Sequence, residues 1–164
     1  MNINSVDLSW ITGSEPVQFD ILEALRNNRL SEGPTCEKVE AKLRQLIGSD
    51  NHVTMVSSGT AALVVAAMAL GLQPGDKIIV PTLTFVATAS AFKAVGVEPV
   101  FVDTDELGRI NLKSVEAALE NEREVRAVVC VHLYGLSSDS CALSMLCKQY
   151  GVFFIEDAAQ AIGL

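Results

Sequence analysis

From Val53 onward the chain alternates short apolar runs with helical patterns, and this alternation most constrains what it can fold into. The strand-like runs span residues 53–56, 77–80, 99–102, 126–131 and 152–156. Helical patterns fall between them at 59–70, 86–95, 112–120 and 141–150. Pro74-Gly75-Asp76, Gly96 and Gly151 punctuate the turns, and Asn111 suits the cap of the third helix. Five apolar strands separated by helices predict an α/β fold: a mostly parallel sheet covered by helices on both faces. The composition agrees. Hydrophobic residues make up 49% and aromatics 5%, which gives the aliphatic core common in parallel sheets.

The first fifty residues read differently. Ile21, Leu22 and Leu25 form a helical stripe behind Pro16, which suits a first turn. A polar loop at 27–34 ends in Gly33-Pro34. Thr35 is the expected cap of a second helix carrying Val39, Leu43, Leu46 and Ile47, and Gly48 is its expected end. No repeat, linker or low-complexity segment interrupts the 164 residues, which read as one domain.

Charge and cysteine usage exclude several functions. Twelve basic against twenty acidic residues give a net charge of −8 without a Lys/Arg cluster. Nucleic-acid and acidic-membrane partners are not expected. Residues 1–7 lack a basic, then apolar, leader pattern, and the apolar stretch 61–72 is too short to span a bilayer. That stretch reads as a buried core helix. Cys36, Cys130, Cys141 and Cys147 form no C-x-x-C pair, no His sits at metal spacing, and Cys130 lies in an apolar run. No metal site is expected, and reduced thiols point to the cytoplasm.

Two elements about a hundred residues apart suggest a site. In open α/β sheets ligands sit outside the carboxyl ends of the strands. Ser57-Ser58-Gly59-Thr60 opens a helix after an apolar run. Free N–H groups and the positive helix end there suit a phosphate, although a simple Ser N-cap explains the same residues. Neither G-x-G-x-x-G nor G-x-x-x-x-G-K-[ST] occurs, so dinucleotide and P-loop sites are not supported. Asp157 follows the run 152–156. It suits the partner of a protonated pyridine nitrogen, and equally a helix cap or an acid in a flavodoxin-like site. Gln160, three residues on, is either an amide for a ring oxygen or a surface residue. Phe85, after the run 77–80, is either a platform for a ring or a core residue.

Taken in order, Ser57-Ser58-Gly59-Thr60-Ala61-Ala62-Leu63, Pro74-Gly75-Asp76, Thr84-Phe85-Val86-Ala87-Thr88, Val100-Phe101-Val102-Asp103, His132-Leu133-Tyr134-Gly135 and Glu156-Asp157-Ala158-Ala159-Gln160-Ala161 resemble the nucleotide-sugar aminotransferases of the DegT/StrS type. The resemblance covers roughly residues 27–164. It implies the N-terminal part of the large domain of a fold-type I enzyme using pyridoxal 5′-phosphate. It gives Ser58, Gly59 and Thr60 to the phosphate, Phe85 to the ring face, Asp157 to the ring nitrogen and Gln160 to the ring oxygen. Asn28, Leu30 and Gly33 loosely resemble the loop that approaches the sugar. His132 reads as structural.

The same resemblance implies a keto sugar nucleotide as substrate, glutamate as amino donor, polysaccharide or deoxyaminosugar biosynthesis as setting, and a homodimer. The family's cofactor-holding lysine belongs a few tens of residues beyond the Asp-x-x-Gln element, past Leu164. Lys38, Lys42, Lys77, Lys93, Lys113 and Lys148 occupy no matching context. No catalytic residue is therefore assigned, and the isolated chain is expected to be inactive. A related dehydratase, with histidine in place of that lysine, and a non-catalytic truncated binding domain are the alternatives.

Overall fold

The computed structural model describes residues 15–28, 31, 33–48 and 52–162. The chain forms two compact units, Met1–Met55 and Val56–Leu164.

In the first unit, α1 spans Glu15–Arg26 and α2 spans Pro34–Ile47. Pro16 sits in the first turn of α1, as expected. The cap of α2 differs from expectation. Gly33 holds the N-cap, Pro34 follows it, and Thr35 is already helical. Proline at the first helical position needs no N–H partner, which moves the start forward. The stripe residues Ile21, Leu22, Leu25, Leu46 and Ile47 are exposed. The main chain of Met55 donates to Glu40 Oε1 at 2.9 Å. Leu30 lies outside the described residues.

The second unit carries the sheet. Its elements are α3 (Gly59–Ala69), β1 (Lys77–Pro81), α4 (Val86–Ala94), β2 (Glu98–Val102), α5 (Leu112–Asn121), β3 (Val125–Val131), α6 (Ser140–Tyr150) and β4 (Phe153–Asp157). The strands run in the order β2-β1-β3-β4, all parallel. Four of the five expected strands are present. Residues 53–56 form no strand among the described residues, so that expectation was wrong. Apolar residues alone do not make a strand: a ladder needs a neighbour to take its N–H and C=O groups.

Alternation along the strands explains both cores. Ile78, Val80, Ala127 and Val129 point to one face with Leu63, Ala67, Ala91 and Phe92 from α3 and α4. Ile79, Val128 and Cys130 point to the other face with Val115, Leu119, Leu143 and Leu146 from α5 and α6. Burying the fully enclosed Phe92 contributes on the order of 2 kcal/mol. Asn111 caps α5 as expected, its side chain accepting from the N–H groups of Lys113 and Ser114. Helix α3 is not the fully buried helix expected. Leu63 and Ala67 are buried, whereas Val65 and Met68 are exposed, because only one face meets the sheet and α4.

The two thiols enclosed in the second core, Cys130 and Cys147, have their titration raised by burial, Cys147 to about 11. No described helix is long and apolar enough to cross a membrane.

The topology marks one place for a ligand. β1 is followed by β2 on one side, and the chain then returns across β1 to lay down β3 and β4 on the other. The strand order reverses between β1 and β3, and a crevice opens at their carboxyl ends at such a switch point.

Candidate active site at the switch point

A cleft of about 240 Å³ lies at this place. Gly59, Thr60, Phe85, His132, Asp157 and Gln160 are among its lining residues. Five of the six residues expected at the cofactor site thus converge from three separate segments of the chain.

The sixth, Ser58, stands at the edge with a task of its own. It is the extended N-cap of α3, and its Oγ accepts from the N–H of Ala61 at 3.1 Å. Its carbonyl accepts from Ala62. The N–H groups of Gly59 and Thr60 have no acceptor among the described residues. No acidic residue occupies the first turn of α3. The positive end of the helix therefore stays uncompensated beside the cleft. A Cβ built on Gly59 meets nothing within 4 Å. Neither packing nor backbone geometry in this chain explains a glycine there, which leaves room for something outside it.

Asp157 ends β4, paired in register with Val131 of β3. Its main-chain oxygen accepts from the N–H of His132 at 3.1 Å. Its carboxylate accepts from Thr88 Oγ1 at 3.0 Å on one oxygen and from the N–H of Ala159 at 3.3 Å on the other. Thr88 in turn meets Thr84 Oγ1 at 2.9 Å. Two donors, one on each oxygen, hold this partly buried carboxylate in one orientation.

Phe85 is not a core residue. It precedes α4 as the N-cap and is 67% exposed on the cleft wall. Gln160 is tied down by its side-chain oxygen, which accepts from the N–H of Tyr134 at 2.6 Å. His132 lines the cleft, and both of its ring nitrogens meet partners within the chain. Its Nδ1 accepts from the N–H of Ser138 at 3.2 Å, which leaves the proton of the neutral ring on Nε2, 3.2 Å from Glu156 Oε1. Ser140 Oγ donates to the same Glu156 oxygen. Among the described residues, no group of three or more metal-type ligands converges.

Two residues escaped the sequence reading. Thr88 appeared there only as part of a motif, and Tyr134 only as part of another. Each acts through a bond to a residue far away in the chain, which no local pattern marks.

With this geometry established, comparison with known proteins is decisive. Residues 13–164 match the DegT/DnrJ/EryC1/StrS aminotransferase family. The chain belongs to that family. Pyridoxal 5′-phosphate is the cofactor of these aminotransferases.

Two relatives in the DegT/DnrJ/EryC1/StrS family show how far the likeness reaches. GDP-perosamine synthase of Escherichia coli O157:H7 is 41% identical over 137 residues, covering 81% of this chain and 36% of the relative. UDP-N-acetyl-3-dehydro-alpha-D-glucosamine 3-aminotransferase of Acidithiobacillus ferrooxidans is 44% identical over 126 residues, covering 76% of this chain and 33% of the relative. The crystal structure of NtdA from Bacillus subtilis with bound cofactor PMP superposes with a TM-score of 0.83 at 34% identity. That match covers 92% of this chain and 35% of NtdA. The match thus spans about a third of the length of each of these proteins.

Proposed function

We propose that residues 1–164 form the N-terminal part of the pyridoxal-phosphate-binding large domain of an aminotransferase. On this reading the intact protein transfers an amino group from glutamate to a keto sugar nucleotide, for polysaccharide or deoxyaminosugar biosynthesis. It works as a cytoplasmic homodimer. The observation that carries the reading is the meeting of an unneutralised helix N-terminus and a doubly hydrogen-bonded carboxylate in one cleft. A phosphate at one end and a protonated ring nitrogen at the other match that pair of charges. The relatives support the substrate class, since one is named for a 3-dehydro sugar carried on UDP.

The residues present fit pyridoxal phosphate. Gly59 and Thr60 would receive the phosphate on main-chain N–H groups, with the Ser58 and Thr60 hydroxyls beside them. Gly59 leaves open the space that a Cβ would fill. Phe85 would lie against the ring face. Asp157 would keep a proton on the ring nitrogen, and Gln160 would donate its amide N–H to the ring oxygen. When bound, the cofactor supplies an electron sink for the carbon that carries the amino group. The carboxylate of Asp157 keeps that sink effective by holding the positive charge on the nitrogen.

None of the cleft-lining residues is a lysine. The amine that makes a nucleophilic route possible is therefore expected from another part of the intact protein, and this chain alone is expected to be inactive. The test is an assay of the intact protein and of the 164-residue chain with pyridoxal phosphate, glutamate and a panel of keto sugar nucleotides. Amination by the intact protein alone is the expected result. Loss of water from the sugar without amino transfer would instead indicate a dehydratase. Turnover by the isolated chain would refute the assignment of the missing amine.

A further inference from the structure

We infer that Thr88 is a positioning residue for Asp157, and that Thr84 completes a two-hydroxyl relay whose direction the carboxylate imposes. This deepens the functional reading above and rests on Asp157 as partner of the ring nitrogen. An ionised carboxylate only accepts hydrogen bonds. The single proton of Thr88 is therefore committed to Asp157 Oδ2 at 3.0 Å. The contact of 2.9 Å between Thr84 Oγ1 and Thr88 Oγ1 must then be donated by Thr84. Successive donors polarise one another, so the outer hydroxyl strengthens the inner bond.

Burial gives the relay its effect. Thr88 is 1% exposed, so water does not compete for its hydroxyl. Its placement matters equally. Thr84, Phe85 and Thr88 belong to one short stretch, the last residues before α4 and its first turn. One short stretch thus carries both the ring platform, as the N-cap of α4, and, in the first turn of α4, the donor that orients the acid 69 residues away. Val is nearly isosteric with Thr, yet it would leave Oδ2 without this donor. The carboxylate would then draw more strongly on any proton it shares, and it would lose one of two anchors.

The experiment uses the holoenzyme loaded with pyridoxal phosphate labelled with ¹⁵N in the ring. The ring-nitrogen resonance reports protonation independently of turnover. Asp157→Asn should move it toward the unprotonated value. Thr88→Val should move it part of the way in the same direction and weaken cofactor retention about tenfold. Thr88→Ser should restore both. A resonance that moves in Asp157→Asn but not in Thr88→Val overturns this inference and leaves the role of Asp157 standing. A resonance unmoved in Asp157→Asn overturns both. A Thr88→Ser protein that behaves like Thr88→Val would assign the effect to packing and reject the relay. Should Thr88→Val fail to fold, Thr84→Val keeps the inner donor and removes the outer one. A smaller shift of the same sign is expected there, and no shift refutes the relay.

Discussion

The side-chain oxygen of Gln160 accepts a hydrogen bond from the main-chain N–H of Tyr134 at 2.6 Å. Twenty-six residues separate the two. The bond settles which end of the amide is left over: the NH₂ group of Gln160 has no acceptor among the described residues. A residue that lines the cleft is thereby set up as a donor, as a ring oxygen would require.

Tyr134 delivers that N–H from an unusual backbone conformation, with φ at +58°. Its side chain is 75% exposed, so substitution there reports mainly on the backbone. Left-handed geometry costs a residue with a Cβ about 1–2 kcal/mol, more when it is β-branched. Tyr134→Gly should therefore be more stable than Tyr134→Val by about 1–2 kcal/mol in urea titrations. Equal stability would mean that the left-handed turn is not held in solution.

Gly59 and Gly96 should respond in opposite ways to alanine. At Gly96 φ is +85°, and a Cβ would stand 2.9 Å from Pro74 Cβ. Gly96→Ala should destabilise the fold by about 2 kcal/mol or more. At Gly59 nothing meets the added methyl, so stability should stay within about 0.5 kcal/mol. Affinity for pyridoxal phosphate should nevertheless fall about tenfold in Gly59→Ala, as the methyl enters space meant for the phosphate. Thermal melts and equilibrium dialysis on the same two variants separate these effects.

The thiols offer a check on both core and pH response. Cys141 is exposed, whereas Cys130 and Cys147 are buried. Alkylation of the native protein should modify Cys141 ahead of either buried thiol, which should react only on unfolding. Burial raises the Cys147 thiol from an ordinary 9.0 to about 11. The folded state thus retains a proton that the unfolded chain gives up first. This contribution to stability is complete below pH 9 and is lost as the pH rises toward about 11. Denaturation midpoints that rise with pH through that window would contradict the enclosed thiol.

Much of the fold was legible because local chemistry and tertiary structure agree. Asn111 offered a cap and became one, Gly151 ends α6, and the apolar runs from Lys77 onward became the four strands. The connection at 53–56 misled because strand character depends on a partner that residue type does not reveal. Thr35 misled because Pro34 starts the helix one residue earlier. At the site, strand ends and spacing made Asp157, Phe85 and Gln160 candidates with other readings open, and the resemblance to the family supplied the roles expected of them. Their supports could not be named. The bond from Thr88 to Asp157 and the bond from Tyr134 to Gln160 join distant parts of the chain, and no pattern within either segment announces them.

The central claim is that this cleft holds pyridoxal phosphate, and a crystal structure of the intact protein grown with the cofactor tests it most directly. The account predicts the phosphate on the N–H groups of Gly59 and Thr60, the ring against Phe85, and the ring nitrogen within hydrogen-bonding distance of Asp157. A phosphate bound elsewhere, or a ring nitrogen turned away from Asp157, would contradict it.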